Sequence, residues 1–187
     1  MAKIHNDKYY TPEAVVKKVI EVIERDVMPI NKFSRIIEPS AGAGAFLKRL
    51  PEKTIGYDIE PQSENIIKGD YLKQDIPYLK DSLVIGNPPF GESGNLHTEF
   101  IKRSIEHSDY VAFVLPGDMY KKDKFEGIEL YKTYMLPAVK YSGVKLKCCF
   151  NIYRKRKKRL KEKNIKNVEI LTFSKTKNTT RQQDKLT

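Results

Sequence analysis

From residue 35 to residue 47 the chain reads Arg-Ile-Ile-Glu-Pro-Ser-Ala-Gly-Ala-Gly-Ala-Phe-Leu, the pattern of a strand, a glycine-bearing turn and the beginning of a helix. Gly42 and Gly44 allow positive φ angles in this turn and let a ligand come close to the backbone. The pattern is the first part of a nucleotide-binding strand–turn–helix unit, but it lacks the third glycine and the spacing of the dinucleotide fingerprint. It predicts an α/β protein with its ligand at the end of a strand.

Two further strands are predicted after the glycine turn, and each ends in an acidic residue. Residues 54–58 end at Asp58, twenty positions beyond Glu38, where a carboxylate can accept hydrogen bonds from two ribose hydroxyls. Residues 65–70 end at Asp70, whose carboxylate can accept a hydrogen bond from an adenine amine. Because ligands of parallel α/β sheets bind at the carboxyl ends of the strands, these groups are expected to converge on one site.

A fourth strand end carries the sequence Asn87-Pro88-Pro89-Phe90, directly after the apolar run of residues 82–86. Proline has a fixed φ and no N–H and restricts the residue before it, so backbone carbonyls at this turn are expected to point outward. Asn87 adds a side-chain acceptor, and Phe90 offers a flat ring. Two acceptors beside a stacking ring suit a planar amine, such as the exocyclic NH2 of a base. The simpler alternative is a strand-ending turn with a core phenylalanine.

As an ordered set, these four motifs resemble the class I S-adenosylmethionine-dependent methyltransferases that modify the amino groups of adenine. The resemblance extends from residue 8 to residue 116 and includes Lys8-Tyr9-Tyr10-Thr11-Pro12, which is similar to the cofactor-flanking segment of many DNA adenine methyltransferases. It implies a Rossmann-like α/β fold with a mostly parallel sheet, a reversed C-terminal strand and helices on both faces.

The resemblance also implies a cofactor, S-adenosylmethionine, and residues that bind it. Glu38, Gly42 and Gly44 would hold the methionine part. Asp58 would hold the ribose and Asp70 the adenine of the cofactor. The residues expected to line the cofactor pocket are Tyr10, Thr11, Glu38, Pro39, Ser40, Gly42, Gly44, Phe46, Asp58, Ile59, Asp70, Tyr71 and Asn87.

The catalytic residues implied by the resemblance are Asn87, Pro88, Pro89 and Phe90. The side-chain oxygen of Asn87 and the carbonyl of Pro88 would accept hydrogen bonds from the target amine, and Phe90 would stack on the base. For Tyr9 and Tyr10, simple packing remains an equal alternative to a place in the cofactor pocket.

The positive charge is concentrated at the C-terminal end of the chain. Residues 151–187 hold 13 Lys and Arg residues against 3 Asp and Glu residues, and so carry +10 of the net charge of +11. The densest part is the segment 154–163, which begins Arg154-Lys155-Arg156-Lys157-Lys158-Arg159. Such a run repels itself and favours a polyanionic partner, so these six residues are predicted to bind nucleic acid. The resemblance to DNA adenine methyltransferases implies DNA rather than RNA. The alternative is a solvated loop between two strands.

The length of 187 residues, the 40% hydrophobic share and the 32% charged share are typical of one globular domain. We expect a cofactor-flanking helix within residues 1–30, capped by the Thr11 hydroxyl, and a loop and helix over the site at 118–143. Residues 144–153 and 167–174 are predicted to form closing strands, and 175–187 a flexible tail. The sequence shows no signal peptide, membrane span or metal-ligating cluster, so a cytoplasmic protein without a metal is expected.

Three functional alternatives stay open at this point. The substrate could be structural (ribosomal) RNA, because Asn-Pro-Pro-Phe-Gly followed by Glu99-Phe100-Ile101 also resembles small ribosomal-RNA adenine methyltransferases. The protein could be a non-catalytic nucleic-acid-binding subunit that keeps the fold. Sequence recognition could also depend on a partner subunit or a homodimer.

Overall fold

The computed structural model describes residues 11–91, 95–123, 125–141, 143–156 and 169–170. Several predictions concern residues outside these ranges. They are the cofactor-pocket residue Tyr10, the basic residues Lys157, Lys158 and Arg159, the tail 175–187, and most of the strand predicted at 167–174.

The described part of the chain contains one central sheet of eight strands. The strands are β1 (Arg35–Glu38), β2 (Ile55–Asp58), β3 (Ile66–Lys68), β4 (Ser82–Gly86), β5 (Tyr110–Pro116), β6 (Ile128–Met135), β9 (Cys148–Lys155) and the two-residue β10 (Glu169–Ile170). Their spatial order is β10-β6-β9-β5-β4-β1-β2-β3, and a separate hairpin is formed by β7 (Val139–Tyr141) and β8 (Val144–Leu146). Strand β9 is antiparallel to both of its neighbours, whereas the other pairs in the sheet are parallel.

Helices cover both faces of this sheet. Helix α1 (Glu13–Asp26) packs its valines and isoleucines into one hydrophobic cluster, and α2 (Leu96–His107) packs Phe100, Ile101 and Ile105 into a second cluster on the other face. Strand β5 lies between the two layers, and its residues 111–115 are fully buried, as expected for a central strand that is apolar on both sides. The predicted fold class is therefore confirmed: a mostly parallel sheet with a reversed strand near the C-terminal end and helices on both faces.

The start of α1 differs from the prediction. Pro12, not Thr11, is the N-cap, and its carbonyl accepts hydrogen bonds from the N–H groups of Val15 and Val16. No side chain caps the helix. The Thr11 hydroxyl instead accepts a hydrogen bond from the distant Asn87. The predicted hydroxyl cap was therefore wrong.

The segment 118–143 was also predicted incorrectly. It contains no described α-helix, and its longest element is β6, an eight-residue strand in the central sheet that pairs with β9. Tyrosine and threonine favour strands, and the side chains of β6 alternate between buried and partly buried up to a register shift between Leu130 and Lys132. The single strand predicted at 144–153 is divided into β8 and β9.

Two short elements near the site are 3₁₀ turns, Leu47–Arg49 and Tyr71–Lys73. The first follows the glycine turn, where the sequence predicted the beginning of a helix. Among the described residues, no helix has the length and apolar character required to cross a membrane.

Candidate functional site

The carboxyl ends of the parallel strands meet at one edge of the sheet. Strand β1 lies between β2 and β4, with Glu38 paired to Gly56 and Ile37 paired to Val84. A cavity of about 310 Å³ opens at this edge. Of the residues predicted to form the site, it is lined by Thr11, Glu38, Pro39, Ser40, Gly42, Phe46, Asp58, Ile59, Asp70, Tyr71, Asn87, Pro88 and Pro89. The strand-end argument thus placed most of its residues around one cavity.

Gly44 and Phe90 do not line this cavity. The Gly44 N–H donates to the Ala41 carbonyl at 2.7 Å with a φ of 75°, so this glycine closes the turn. The Phe90 ring packs on the first hydrophobic cluster and meets the His97 ring edge-on, with 6.4 Å between ring centroids. The placement of Phe90 matches the packing alternative for this residue more closely than the base-stacking role.

The glycine turn is joined to the end of β2 through the Asp58 carboxylate. One carboxylate oxygen accepts from the Gly42 N–H at 2.7 Å, and the other accepts from the Glu60 N–H at 2.8 Å. Gly42 has a φ of 53°, and an added Cβ would meet only the Asp58 carboxylate, at 4.0 Å. The backbone of the turn is therefore open to close approach from the cavity, and each carboxylate oxygen keeps a second acceptor direction.

Glu38 is a buried carboxyl group on the cavity wall. Its Oε2 accepts a hydrogen bond from the Leu47 N–H at 3.2 Å, and the side chain is 2% exposed. Burial raises the pKa of Glu38 well above its usual range, and the nearby Asp58 charge acts in the same direction. The N–H groups of Leu47 and Phe46 oppose this shift. Glu38 thus joins the end of β1 to the 3₁₀ turn beyond the glycines.

Asn87 is held from two sides. Its Nδ2 donates to the Thr11 hydroxyl at 3.1 Å, and its main-chain carbonyl accepts from the Ser40 hydroxyl at 3.2 Å. Because the amide nitrogen bonds to Thr11, the orientation of the carboxamide is set by the segment that precedes α1. Sequence reasoning missed this contact, which joins residues 76 positions apart.

Asp70 and Tyr71 form the far wall of the cavity. Asp70 caps the 3₁₀ turn by accepting from the Leu72 N–H at 3.1 Å. The Tyr71 ring stacks on Phe100 with 5.6 Å between centroids, and this phenylalanine also lines the cavity. The contribution of Phe100 to the site was not predicted. The other lining residues that were missed are Ala41, Ala43, Ala45, Gly69, Leu72 and Leu96.

A buried polar network supports Tyr71 from below. Its hydroxyl lies 2.8 Å from the Ser104 hydroxyl and 2.7 Å from His107 Nε2. Burial, followed by the charges of Arg35 and Arg103, lowers the pKa of His107 to about 4. Burial raises the pKa of the Tyr71 hydroxyl. Both rings are therefore neutral at physiological pH.

The buried imidazole makes stability depend on pH. In the unfolded chain, a histidine takes up a proton near pH 6.5, whereas His107 in the native protein does so only near pH 4. The free energy of unfolding should therefore fall by on the order of 2 kcal/mol from pH 7 to pH 5 through this residue alone. Urea unfolding at several pH values should show a shallower dependence for His107→Gln, and an unchanged dependence would contradict this account.

The basic residues predicted to bind nucleic acid begin at the opposite edge of the sheet. Arg154 pairs with Tyr110, the first residue of β5, because β9 runs antiparallel. Each of the three described members also has a protein partner. Arg154 binds the Glu129 carboxylate at 3.0 and 3.1 Å, Lys155 lies 4.0 Å from the centre of the Tyr78 ring, and Arg156 pairs with Asp123 at 3.2 Å. Residues 154–156 are thus not brought to the cavity.

The described residues include no group of three His, Cys, Asp or Glu side chains arranged to hold a metal ion. The chemistry of the cavity walls is instead that of carboxylates, carbonyls, one carboxamide and apolar rings. Such a set suits a nucleoside, since carboxylates accept from hydroxyl and amine groups while apolar side chains cover a flat ring.

No protein-family model and no curated protein matches this sequence. Solved structures do match the fold. A putative class I S-adenosylmethionine-dependent methyltransferase from Listeria monocytogenes has a TM-score of 0.63 and 15% identity, over 91% of this chain and 67% of that chain. A putative RNA methyltransferase from Pyrococcus horikoshii has a TM-score of 0.61 and 14% identity, over 83% of this chain and 91% of that chain.

The fold is also similar to a type I restriction-modification methyltransferase subunit from Streptococcus thermophilus. The TM-score is 0.58 at 16% identity, over 80% of this chain and 45% of that chain. This chain therefore spans less than half of that subunit. At such low identities the likeness establishes the fold alone, which is the Rossmann-like fold of class I S-adenosylmethionine-dependent methyltransferases.

Proposed function

We propose that the protein transfers a methyl group from S-adenosylmethionine to the N6 amine of adenine in DNA. The observation that carries this proposal is the position of Asn87. Asn87 lines the same cavity as the glycine turn, its amide nitrogen donates to Thr11, and its side-chain oxygen is buried at the cavity wall. A hydrogen-bonding side chain beside a cofactor-sized cavity is the arrangement that methyl transfer to an amine requires.

The cavity fits the cofactor chemically. Its volume of about 310 Å³ lies within the range of small-molecule sites. All four of the following residues line the cavity: in this proposal Asp58 binds the ribose hydroxyls, Asp70 binds the adenine amine, and Ile59 and Phe100 cover the faces of the ring. The open backbone at Gly42 leaves room for the methionine part of the cofactor.

When bound, S-adenosylmethionine supplies a sulfonium methyl group that is already strongly electrophilic. The protein therefore has to orient the attacking nitrogen rather than activate the donor. An adenine amine is a poor nucleophile because its lone pair is delocalised into the ring. The Asn87 side-chain oxygen and the Pro88 carbonyl would accept hydrogen bonds from this amine and aim its lone pair at the methyl carbon. Because positive charge develops on the nitrogen during transfer, both hydrogen bonds strengthen in the transition state.

Thr11 acts here as a positioning residue. Thr11→Val keeps the size of the side chain but removes the oxygen that accepts from Asn87, which weakens the hold on the carboxamide. We expect kcat to fall by about tenfold, because misplacement of a catalytic group is costly, with little change in the KM for nucleic acid. Thr11→Ser, which keeps the oxygen, should restore most of the rate. Equal rates for the valine variant and the wild type would show that Thr11 does not orient Asn87.

Ribosomal RNA is the second candidate substrate. Its support is the similar fold of a 23S rRNA methyltransferase, with a TM-score of 0.58 at 14% identity. In either nucleic acid, a paired target base has to leave its stack to reach Asn87, at a cost of roughly a few kcal/mol.

The test is transfer of a labelled methyl group to duplex DNA, single-stranded DNA and ribosomal RNA in parallel, together with calorimetry of cofactor binding. We expect cofactor binding and transfer to DNA. Transfer to RNA alone would replace DNA as the substrate. Cofactor binding without transfer to any of the three, or no cofactor binding, would overturn the proposal and favour a non-catalytic subunit.

A further inference from the structure

A second cavity, of about 910 Å³, lies between α2 and the connection from β5 to β6. Its floor is formed by four buried side chains of the second hydrophobic cluster, Ile105, Met119, Phe125 and Ile128. Its walls are polar and come from α2, from residues 118–128 and from the end of β9. We refer to it as the α2 groove.

The α2 groove runs parallel to the strands, from the carboxyl ends of the parallel strands to their amino ends. At the carboxyl edge it includes His97, whose ring contacts Phe90 of the Asn-Pro-Pro-Phe turn. At the opposite edge it includes Ile128, where β6 begins, and Lys155, where β9 ends. Helix α2 has twelve residues and is therefore about 18 Å long, and the groove runs along it. The groove thus runs from beside the Asn-Pro-Pro-Phe turn to the start of the basic segment 154–163.

The groove walls carry a small excess of positive charge. The walls carry four cationic side chains, Lys102, Lys122, Lys155 and Arg156, and three carboxylates, Glu106, Asp118 and Glu126. Ion pairs involve charges of both signs. Asp118 pairs with Lys122 at 2.6 Å, Arg156 pairs with Asp123 at 3.2 Å, and Glu106 pairs with Arg103 at 2.5 Å. Lys102 is exposed midway along α2, and the chain beyond Arg156 continues with the cations Lys157, Lys158 and Arg159.

We propose that the α2 groove holds the sugar–phosphate backbone of one nucleic-acid strand, next to the target nucleotide. The inference rests on the proposed function, because that function puts a nucleic acid at Asn87. A nucleic-acid strand that contacts both the cavity and the basic segment has to run the length of the β-strands, from their carboxyl ends to their amino ends. The groove provides a path along one face of the sheet. Its length of about 18 Å would accommodate about five phosphates at the spacing of one strand of a duplex.

A single substitution with a matched control tests this path. Lys102→Glu reverses one charge in the groove. Lys17→Glu makes the same change of net charge at an exposed position of α1, the helix that packs on the other face of the sheet. Binding of fluorescein-labelled DNA and RNA oligonucleotides would be followed by anisotropy between 50 mM and 200 mM salt. We expect Lys102→Glu to weaken binding about tenfold at low salt and to reduce the slope of log K against log salt by about one. Lys17→Glu should stay within about twofold of the wild type.

Equal losses in the two variants would show that only net charge matters, and no loss in Lys102→Glu would place the strand elsewhere. Either result overturns the groove. A larger loss with RNA than with DNA, or the reverse, identifies which nucleic acid occupies it. Binding is measured without methyl transfer, so a groove that binds as expected in a protein that methylates nothing would refute the proposed function and leave the groove intact.

Discussion

Asn87→Ala should reduce the rate of methyl transfer by about a thousandfold while leaving cofactor affinity within about threefold of the wild type. The carboxamide oxygen is expected to bind the target amine most strongly in the transition state, and its loss acts on kcat rather than on cofactor binding. Single-turnover transfer of labelled methyl groups and calorimetry with S-adenosylmethionine measure the two effects separately.

Asn87→Asp provides the matched control. It keeps an acceptor oxygen in the same place but removes the Nδ2 donor that binds Thr11. We expect it to retain more activity than the alanine variant and less than the wild type. If Asn87→Ala transferred methyl groups at the wild-type rate, the assignment of Asn87 as the residue that binds the amine would be wrong.

Asp58→Ala, unlike Asn87→Ala, should act on cofactor affinity and weaken cofactor binding by about a hundredfold. The carboxylate accepts a 2.7 Å hydrogen bond from Gly42, and in the proposed function it also accepts from two ribose hydroxyls. Hydrogen bonds to a charged group contribute roughly 1.5–3 kcal/mol each, and the loss of two at the lower end of this range, about 3 kcal/mol, corresponds to about a hundredfold.

Asp58→Asn separates the two roles of this side chain. The carboxamide keeps one oxygen, which can still accept from Gly42, but it offers less acceptor capacity to a ribose. A cofactor affinity between those of the wild type and Asp58→Ala is expected. An affinity unchanged in both variants would place the cofactor outside the cavity that Asp58 lines. Thermal unfolding of all variants checks that the glycine turn remains folded.

The strand-end residues were predictable because they depend on local pattern and on one rule of α/β architecture. The glycine turn, Asp58 and Asn87 each follow a short apolar run, and parallel strands bring such ends to the same edge of a sheet. The order of the motifs then placed most of the predicted residues around a single cavity.

Other features depended on contacts between distant parts of the chain. The Thr11–Asn87 hydrogen bond spans 76 positions, and the residue pattern around Thr11 favoured a helix cap equally well. Strand β6 was predicted as loop and helix because its tyrosines fit either a half-buried strand or a loop and helix over the site. The reversal of β9 moved the start of the basic segment away from the cavity, and charge density along a sequence contains no information about strand direction.

The identity of the methylated atom tests the central claim most directly. After reaction with isotopically labelled S-adenosylmethionine, the DNA is digested to nucleosides and the product is identified by mass spectrometry against standards. The account predicts labelled N6-methyldeoxyadenosine from the wild type and almost none from Asn87→Ala. Label on cytosine, on a ring nitrogen of adenine or on protein would contradict it.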